Sequence, residues 1–190
     1  MVSVIGKNTL STMATLAAVL LATLGPSGCR LAVRPPPAVI DQAPLAIVVA
    51  KAERLLRVYR AGRPTATYPV VLGHNPVGHK RYEGDARTPE GFYRVTELRG
   101  HSRWHHFIAI DYPSEKDRQG YRRLLAEGRV PALGGRVLSI GGGLGIHGND
   151  RPAEQALGKD WTQGCVAMDN ADLEEIIRLV RTGTPVLIVE

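Results

Sequence analysis

Cys165 stands in Thr162-Gln163-Gly164-Cys165-Val166-Ala167-Met168, eighteen residues after the histidine of Ile146-His147-Gly148. A thiol becomes a strong nucleophile when an imidazole takes its proton and backbone N–H groups face the developing oxyanion. Gly164 permits close backbone approach where such donors, the Gly164 and Cys165 amides, would be needed. Taken alone, Cys165 reads as a small buried hydrophobe and His147 as a structural histidine. Their setting, His147 at a strand end before a glycine and Cys165 between a glycine and a small apolar run, favours a nucleophilic thiol with a base nearby. Thr162 could orient this site, contact substrate or stabilise its own turn. Trp161 could line a cleft or belong to the core.

Other groups carry weaker signals. His101, His105 and His106 invite a zinc reading, but no His-Glu-x-x-His pattern and no cysteine at ligand spacing accompanies them. A polar strand edge is the better expectation, and no metal or cofactor is expected. Asp85 and Glu90 read as turn chemistry around Thr88-Pro89. His74 and His79 flank a turn at Asn75-Pro76-Val77-Gly78. The run 143–148 formally matches G-x-G-x-x-G, yet it is followed by Asn149-Asp150-Arg151-Pro152 and not by the helix a dinucleotide site requires.

The elements that must hold these residues are mostly strands. Short β-prone runs fall at 47–49, 55–59, 67–72, 92–95, 106–110, 144–147 and 185–189, separated by turn residues. Two helices are expected. Residues 114–127 are polar and basic, with Tyr121, Leu124 and Leu125 as the apolar stripe. A second helix starts at Asn170 as N-cap, carries acidic residues in its first turn, and buries Leu173, Ile176, Ile177 and Val180 at helical spacing, with Gly183 as cap. The fold class is therefore mostly β with two helices, and Cys165 lies in the loop before the second.

These residues resemble the L,D-transpeptidase catalytic domain, the YkuD-type family of bacterial cell-wall enzymes, in its murein-transpeptidase-like subgroup. The signature His-Gly, then Ser/Thr-x-Gly-Cys, is matched by His147-Gly148 and Thr162-Gln163-Gly164-Cys165. A second stretch, Gly84-Asp85-Ala86-Arg87-Thr88-Pro89-Glu90-Gly91, is similar to the family's Gly-Asp-x-x-Thr-Pro-Glu-Gly run, and Gly183-Thr184-Pro185-Val186-Leu187-Ile188 is typical of its end. The resemblance spans residues 45–190 and implies a β-sandwich-like catalytic domain. It implies Cys165 as nucleophile, His147 as base, Gly164 and Cys165 as oxyanion donors, and Thr162, Trp161 and Gly148 near substrate. The implied reaction is attack on diaminopimelate of a peptidoglycan stem tetrapeptide, loss of D-Ala, and transfer of the thioester to an amine. Transfer gives a 3–3 cross-link or an attached protein. With water as acceptor the same site is a hydrolase, a carboxypeptidase or an amidase releasing stem-linked outer-membrane lipoprotein. Most members place a hydrophobe and an arginine after the cysteine, whereas this chain has Val166-Ala167. A non-catalytic peptidoglycan-binding module is the remaining alternative.

The net charge of +6 favours anionic partners, and cell-wall polymer is one. With aromatics at 5% and no tract interleaving them with basic residues, nucleic-acid binding is not expected. Residues 1–29 read as an export signal: Lys7 gives the positive start and 10–24 an apolar run. Those fifteen residues span only about 22 Å as a helix, short of a bilayer core of roughly 30 Å. Pro26-Ser27-Gly28-Cys29 is similar to a lipoprotein cleavage site with proline in place of the usual leucine. Lipidation of Cys29 and ordinary cleavage nearby both fit, and a lipid anchor would be the only membrane contact. A Cys29–Cys165 disulfide would disable the site and is not expected. Residues 30–44, rich in proline, read as a tether with little to bury. The location expected is the periplasm or cell envelope.

Overall fold

The β-prone runs assemble into one eight-stranded sheet in the order β3-β2-β1-β10-β4-β5-β8-β9, with a separate two-stranded ribbon of β6 and β7. This computed structural model describes residues 38–190; the expected signal, Cys29 and the first part of the tether lie outside the described residues. The strands are β1 (Ala46–Ala50), β2 (Leu55–Arg60), β3 (Arg63–Pro69), β4 (Gly91–His101), β5 (His105–Ile110), β6 (Ala132–Leu133), β7 (Arg136–Val137), β8 (Gly145–His147), β9 (Val166–Ala167) and β10 (Pro185–Val189). Among the described strands, β1–β10 and β8–β9 pair in parallel and the other pairs are antiparallel.

β1 is buried at every position because both its faces are covered. Ile47 and Val49 face the main core, while Ala46 and Val48 join a second cluster with Ile40, Ala43, Tyr59 and Leu187. That cluster corrects the tether expectation at its end. Ala38–Asp41 forms a short helix, α1, and Ile40 is fully buried. An isolated isoleucine among prolines gives no periodic signal, yet it covers the outer face of the sheet.

β4 carries an irregularity between Val95 and Glu97 that divides it: residues 91–94 pair with β10 and residues 95–101 with β5. Such bulges bend a strand. The chain leaving β3 then bridges to the far edge, Val71 with Ala167 and Gly73 with Thr162. The two ends of the sheet are thereby tied, and one core cluster draws on strands from both halves together with Leu173 and Ile176. This is the mostly β, sandwich-like arrangement the sequence predicts.

Both expected helices form, with different edges and faces. α2 (Glu115–Ala126) starts at a capping box in which Ser114 and Asp117 bond reciprocally. Its buried residue is Asp117, which accepts a hydrogen bond from the Tyr93 hydroxyl at 3.2 Å, whereas Leu125 is exposed. The helix is held by polar contacts, not by a leucine stripe. α4 (Asn170–Leu179) has Asp169 at its N-cap instead of Asn170. The Asn170 side chain is used elsewhere, accepting from the Asn149 amide at 2.8 Å. Val180 is extended and ends the helix, so Gly183 does not cap it; its N–H donates to Val95 at 2.7 Å. A short helix not expected, α3 (Pro152–Ala156), begins with proline in its first turn, where no N–H is missed.

Candidate active site

β8 and β9 bring the two motif residues together. Parallel pairing of Ile146 with Val166 and His147 with Ala167 places Cys165, one residue before β9, next to the start of β8. The packing around this pair needs glycines. A Cβ on Gly145 would lie 2.3 Å from the Ile108 carbonyl oxygen, and one on Gly164 would lie 2.6 Å from that of Arg87. Gly164 also has a φ of +131°, which other residues rarely adopt. His147, Trp161, Thr162, Gln163 and Cys165 line a common cavity of about 740 Å³, with Trp104, Lys80, Arg103 and Arg151 on its other walls.

His147 is 1% exposed, and its Nδ1 lies 2.7 Å from the Gly148 carbonyl oxygen. A carbonyl only accepts, so Nδ1 carries the proton and Nε2 keeps its lone pair as the basic nitrogen. Aromatic rings fix the imidazole plane: Trp104 stacks at 4.5 Å and Phe107 at 6.0 Å, and Trp161 meets it edge-on at 5.6 Å. Burial lowers the imidazole to about 4, opposed by the Gly148 hydrogen bond. Gly148 is itself buried, and a Cβ there would lie 2.3 Å from Asn170 Oδ1 and 2.5 Å from the Trp104 carbonyl oxygen. Its position is that of an orienting group behind His147, away from the cavity wall where a substrate contact was expected.

Cys165 is a free thiol. Burial pushes it up to about 11, against a backbone hydrogen bond from Gly145 and the charge of Lys80. No hydrogen bond joins Sγ to the imidazole among the described residues, and burial favours the neutral form of each group. Thr162 holds the intervening turn. Its hydroxyl donates to the Cys165 carbonyl oxygen at 2.7 Å and accepts from the Gly164 N–H at 3.0 Å. The Gly164 amide is therefore already engaged within the turn, against the expectation that both it and the Cys165 amide face an oxyanion. Trp161 does both things considered for it: it packs with Val71 and Ala167 and lines the cavity.

Two features of the site escape sequence reasoning. Trp104 becomes a ring partner of His147 only through the β5–β8 pairing. Lys80, almost fully buried at the cavity wall, pairs with Asp85 at 2.8 Å. Asp85 also accepts from the amides of Arg81, Tyr82 and Arg87, at 2.6, 3.2 and 3.1 Å. Burial would raise its carboxyl, but Lys80 and the Arg81 and Arg87 amides hold it below the usual range. Glu90 pairs with buried Lys51 at 2.6 Å. The 84–91 stretch is thus anchored by both carboxylates. His74 reaches the cavity, His79 faces Asp117 at 3.2 Å, and His101 stacks on Trp104.

Comparison with known proteins places this geometry. The L,D-transpeptidase catalytic domain profile (YkuD) matches residues 44–188. The chain is 29% identical over 144 residues to YafK of Escherichia coli (strain K12), an L,D-transpeptidase candidate; the match covers 72% of this chain and 47% of YafK. Among solved structures, the helical cell shape determining protein Pgp2 of Campylobacter jejuni is similar, with TM-score 0.57 at 25% identity over 77% of this chain and 47% of Pgp2. An Enterococcus faecium L,D-transpeptidase shares the fold, with TM-score 0.51 at 18% identity over 77% of this chain and 49% of the other. The chain spans about half the length of these relatives. With the motif residues on one cavity and the profile covering nearly all of the described residues, the chain belongs to the L,D-transpeptidase catalytic domain family.

Proposed function

We propose that this protein is a peptidoglycan-modifying cysteine acyltransferase acting at diaminopimelate of stem tetrapeptides. The observation that carries the reading is the pairing of β8 with β9, which sets a histidine with a free Nε2 and a cysteine on one cavity. Substrate entry displaces water and brings the scissile carbonyl against Sγ. His147 Nε2 takes the thiol proton as sulfur attacks, and the Cys165 N–H faces the oxyanion. Collapse breaks the carbon–nitrogen bond, and the imidazolium returns the proton to the departing D-Ala amine, leaving a thioester. An acceptor amine then attacks the thioester, His147 takes its proton, and the thiol is regenerated. The product is a 3–3 cross-link or a wall-attached protein.

The stem peptide carries carboxylates, and the cavity offers cations for them. Ala167, where most members have arginine, is fully buried in β9 against Val71. Guanidinium groups come from other elements: Arg103, paired with Asp150, and Arg151, whose guanidinium lies 5.6 Å over the Trp161 ring. Arg151 is the better carboxylate partner because its own pairing, with Glu154 at 3.8 Å, is loose, whereas Arg103 is hydrogen-bonded to Asp150.

The missing arginine also favours a second reading, a hydrolase that trims the stem or releases stem-linked lipoprotein. Incubation with disaccharide-tetrapeptide and a competing amine separates the two. The transferase reading expects amine adducts in proportion to acceptor, and free acid alone would establish the hydrolase. Export to the cell envelope, with or without a lipid on Cys29, completes the proposal. Fractionation of cells producing wild type and Cys29→Ser tests it.

A further inference from the structure

The β4–β5 turn and the middle of α4 gather three ligand-bearing side chains outside the catalytic cavity. Nε2 of His105 and Nε2 of His106 lie 2.7 and 3.0 Å from the same oxygen, Oε1 of Glu174. One donor atom from each residue lies within 4.8 Å of the others. Successive strand residues point to opposite faces, so adjacent histidines ordinarily cannot share a ligand. Here the alternation is broken. His105 has a φ of +61°, in the left-handed region that costs free energy for a residue with a Cβ, and its ring centroid comes within 4.5 Å of that of His106. Neither histidine lines the catalytic cavity. The strained backbone has one visible result: two imidazoles on one carboxylate.

We infer that His105, His106 and Glu174 form a three-ligand site for a divalent transition metal, with Zn²⁺ as the best fit. Two imidazole nitrogens and one carboxylate oxygen suit zinc, whereas Mg²⁺ and Ca²⁺ require oxygen cages. The present contacts are hydrogen bonds between imidazole and carboxylate. Metal binding replaces them by turning both Nε2 lone pairs and Oε1 onto the ion, with each ring proton on Nδ1. Arg178 stands 3.9 Å from the other carboxylate oxygen and leaves Oε1 to the metal. The three side chains are partly exposed, so the ion has an entry path and an open coordination position for water.

The site backs onto the catalytic pair. Trp104, the neighbour of His105, stacks on His147, and its carbonyl accepts from the Gly148 N–H at 3.0 Å. A metal here pins the start of β5 to α4 and steadies the loop that orients His147. It takes no part in acyl transfer.

The test is calorimetric titration with zinc chloride of the full chain, free of any histidine tag and carrying Cys29→Ser and Cys165→Ala so that no thiol contributes. One equivalent should bind in the micromolar range. The unfolding midpoint should rise with Zn²⁺ and not with the same concentration of Mg²⁺. In that background His106→Ala and Glu174→Gln should each weaken binding by about tenfold or more, and His101→Ala should not. Should His106→Ala fail to fold by circular dichroism, the more exposed His105→Ala carries the comparison. Absence of binding at millimolar zinc, or binding that none of the His105, His106 and Glu174 variants weakens, would overturn the site.

Discussion

Burial sets the chemistry of the two central residues in opposite directions. It raises Cys165 to about 11 and lowers His147 to about 4, so the neutral pair holds between those values. A thiol is the protonated form below its pKa, and an imidazole is neutral above its own. The unliganded protein should therefore react slowly with iodoacetamide at pH 7, with the rate climbing as pH approaches 11. An acid-side plateau of fast alkylation would show instead a preformed thiolate–imidazolium pair. The acid limb of kcat/KM should lie near 4, well below the ordinary histidine value of about 6.5. His147→Ala should lower turnover by roughly 10²–10⁴-fold while changing alkylation little. Both residues are legible in the sequence because their motifs are local. The Trp104 stack is not, since it exists only after two strands distant in sequence pair.

At the scale of elements, the turn before β9 and the 84–91 stretch decide whether the site is shaped. Thr162→Val removes both hydrogen bonds of the turn and should cost about 1–3 kcal/mol in urea unfolding, with a larger loss in turnover. Gly164→Ala meets the Arg87 carbonyl in a backbone region closed to alanine, and should lose activity even where the domain still folds. Asp85→Ala strands Lys80 as a buried charge, a loss of about 3–5 kcal/mol. Because the folded Asp85 carboxyl is depressed, its contribution is complete above the unfolded value of about 3.9 and fades as pH falls below it. The sequence shows Asp85 as a turn residue. That its partner is Lys80 at the cavity wall requires the folded loop, and so does the engagement of the Gly164 amide.

For the whole molecule, the tie between Val71 and Ala167 matters most, because it brings the far edge of the sheet and the Cys165 turn against the chain leaving β3. Strand positions are readable from alternation and turn residues; the order of strands and this closing bridge are not, as they depend on pairing across the whole chain. Ile40 illustrates the same limit. It carries no periodic signal, yet Ile40→Ala should cost about 2–5 kcal/mol in urea unfolding by opening a cavity on the outer face of β1. Above all these stands the claim that Cys165 forms a thioester with a stem peptide. Intact-protein mass spectrometry after mixing with disaccharide-tetrapeptide tests it most directly. The account predicts an adduct on Cys165 equal to the donor minus D-Ala, absent in Cys165→Ala. D-Ala release that persists undiminished in Cys165→Ala would contradict it.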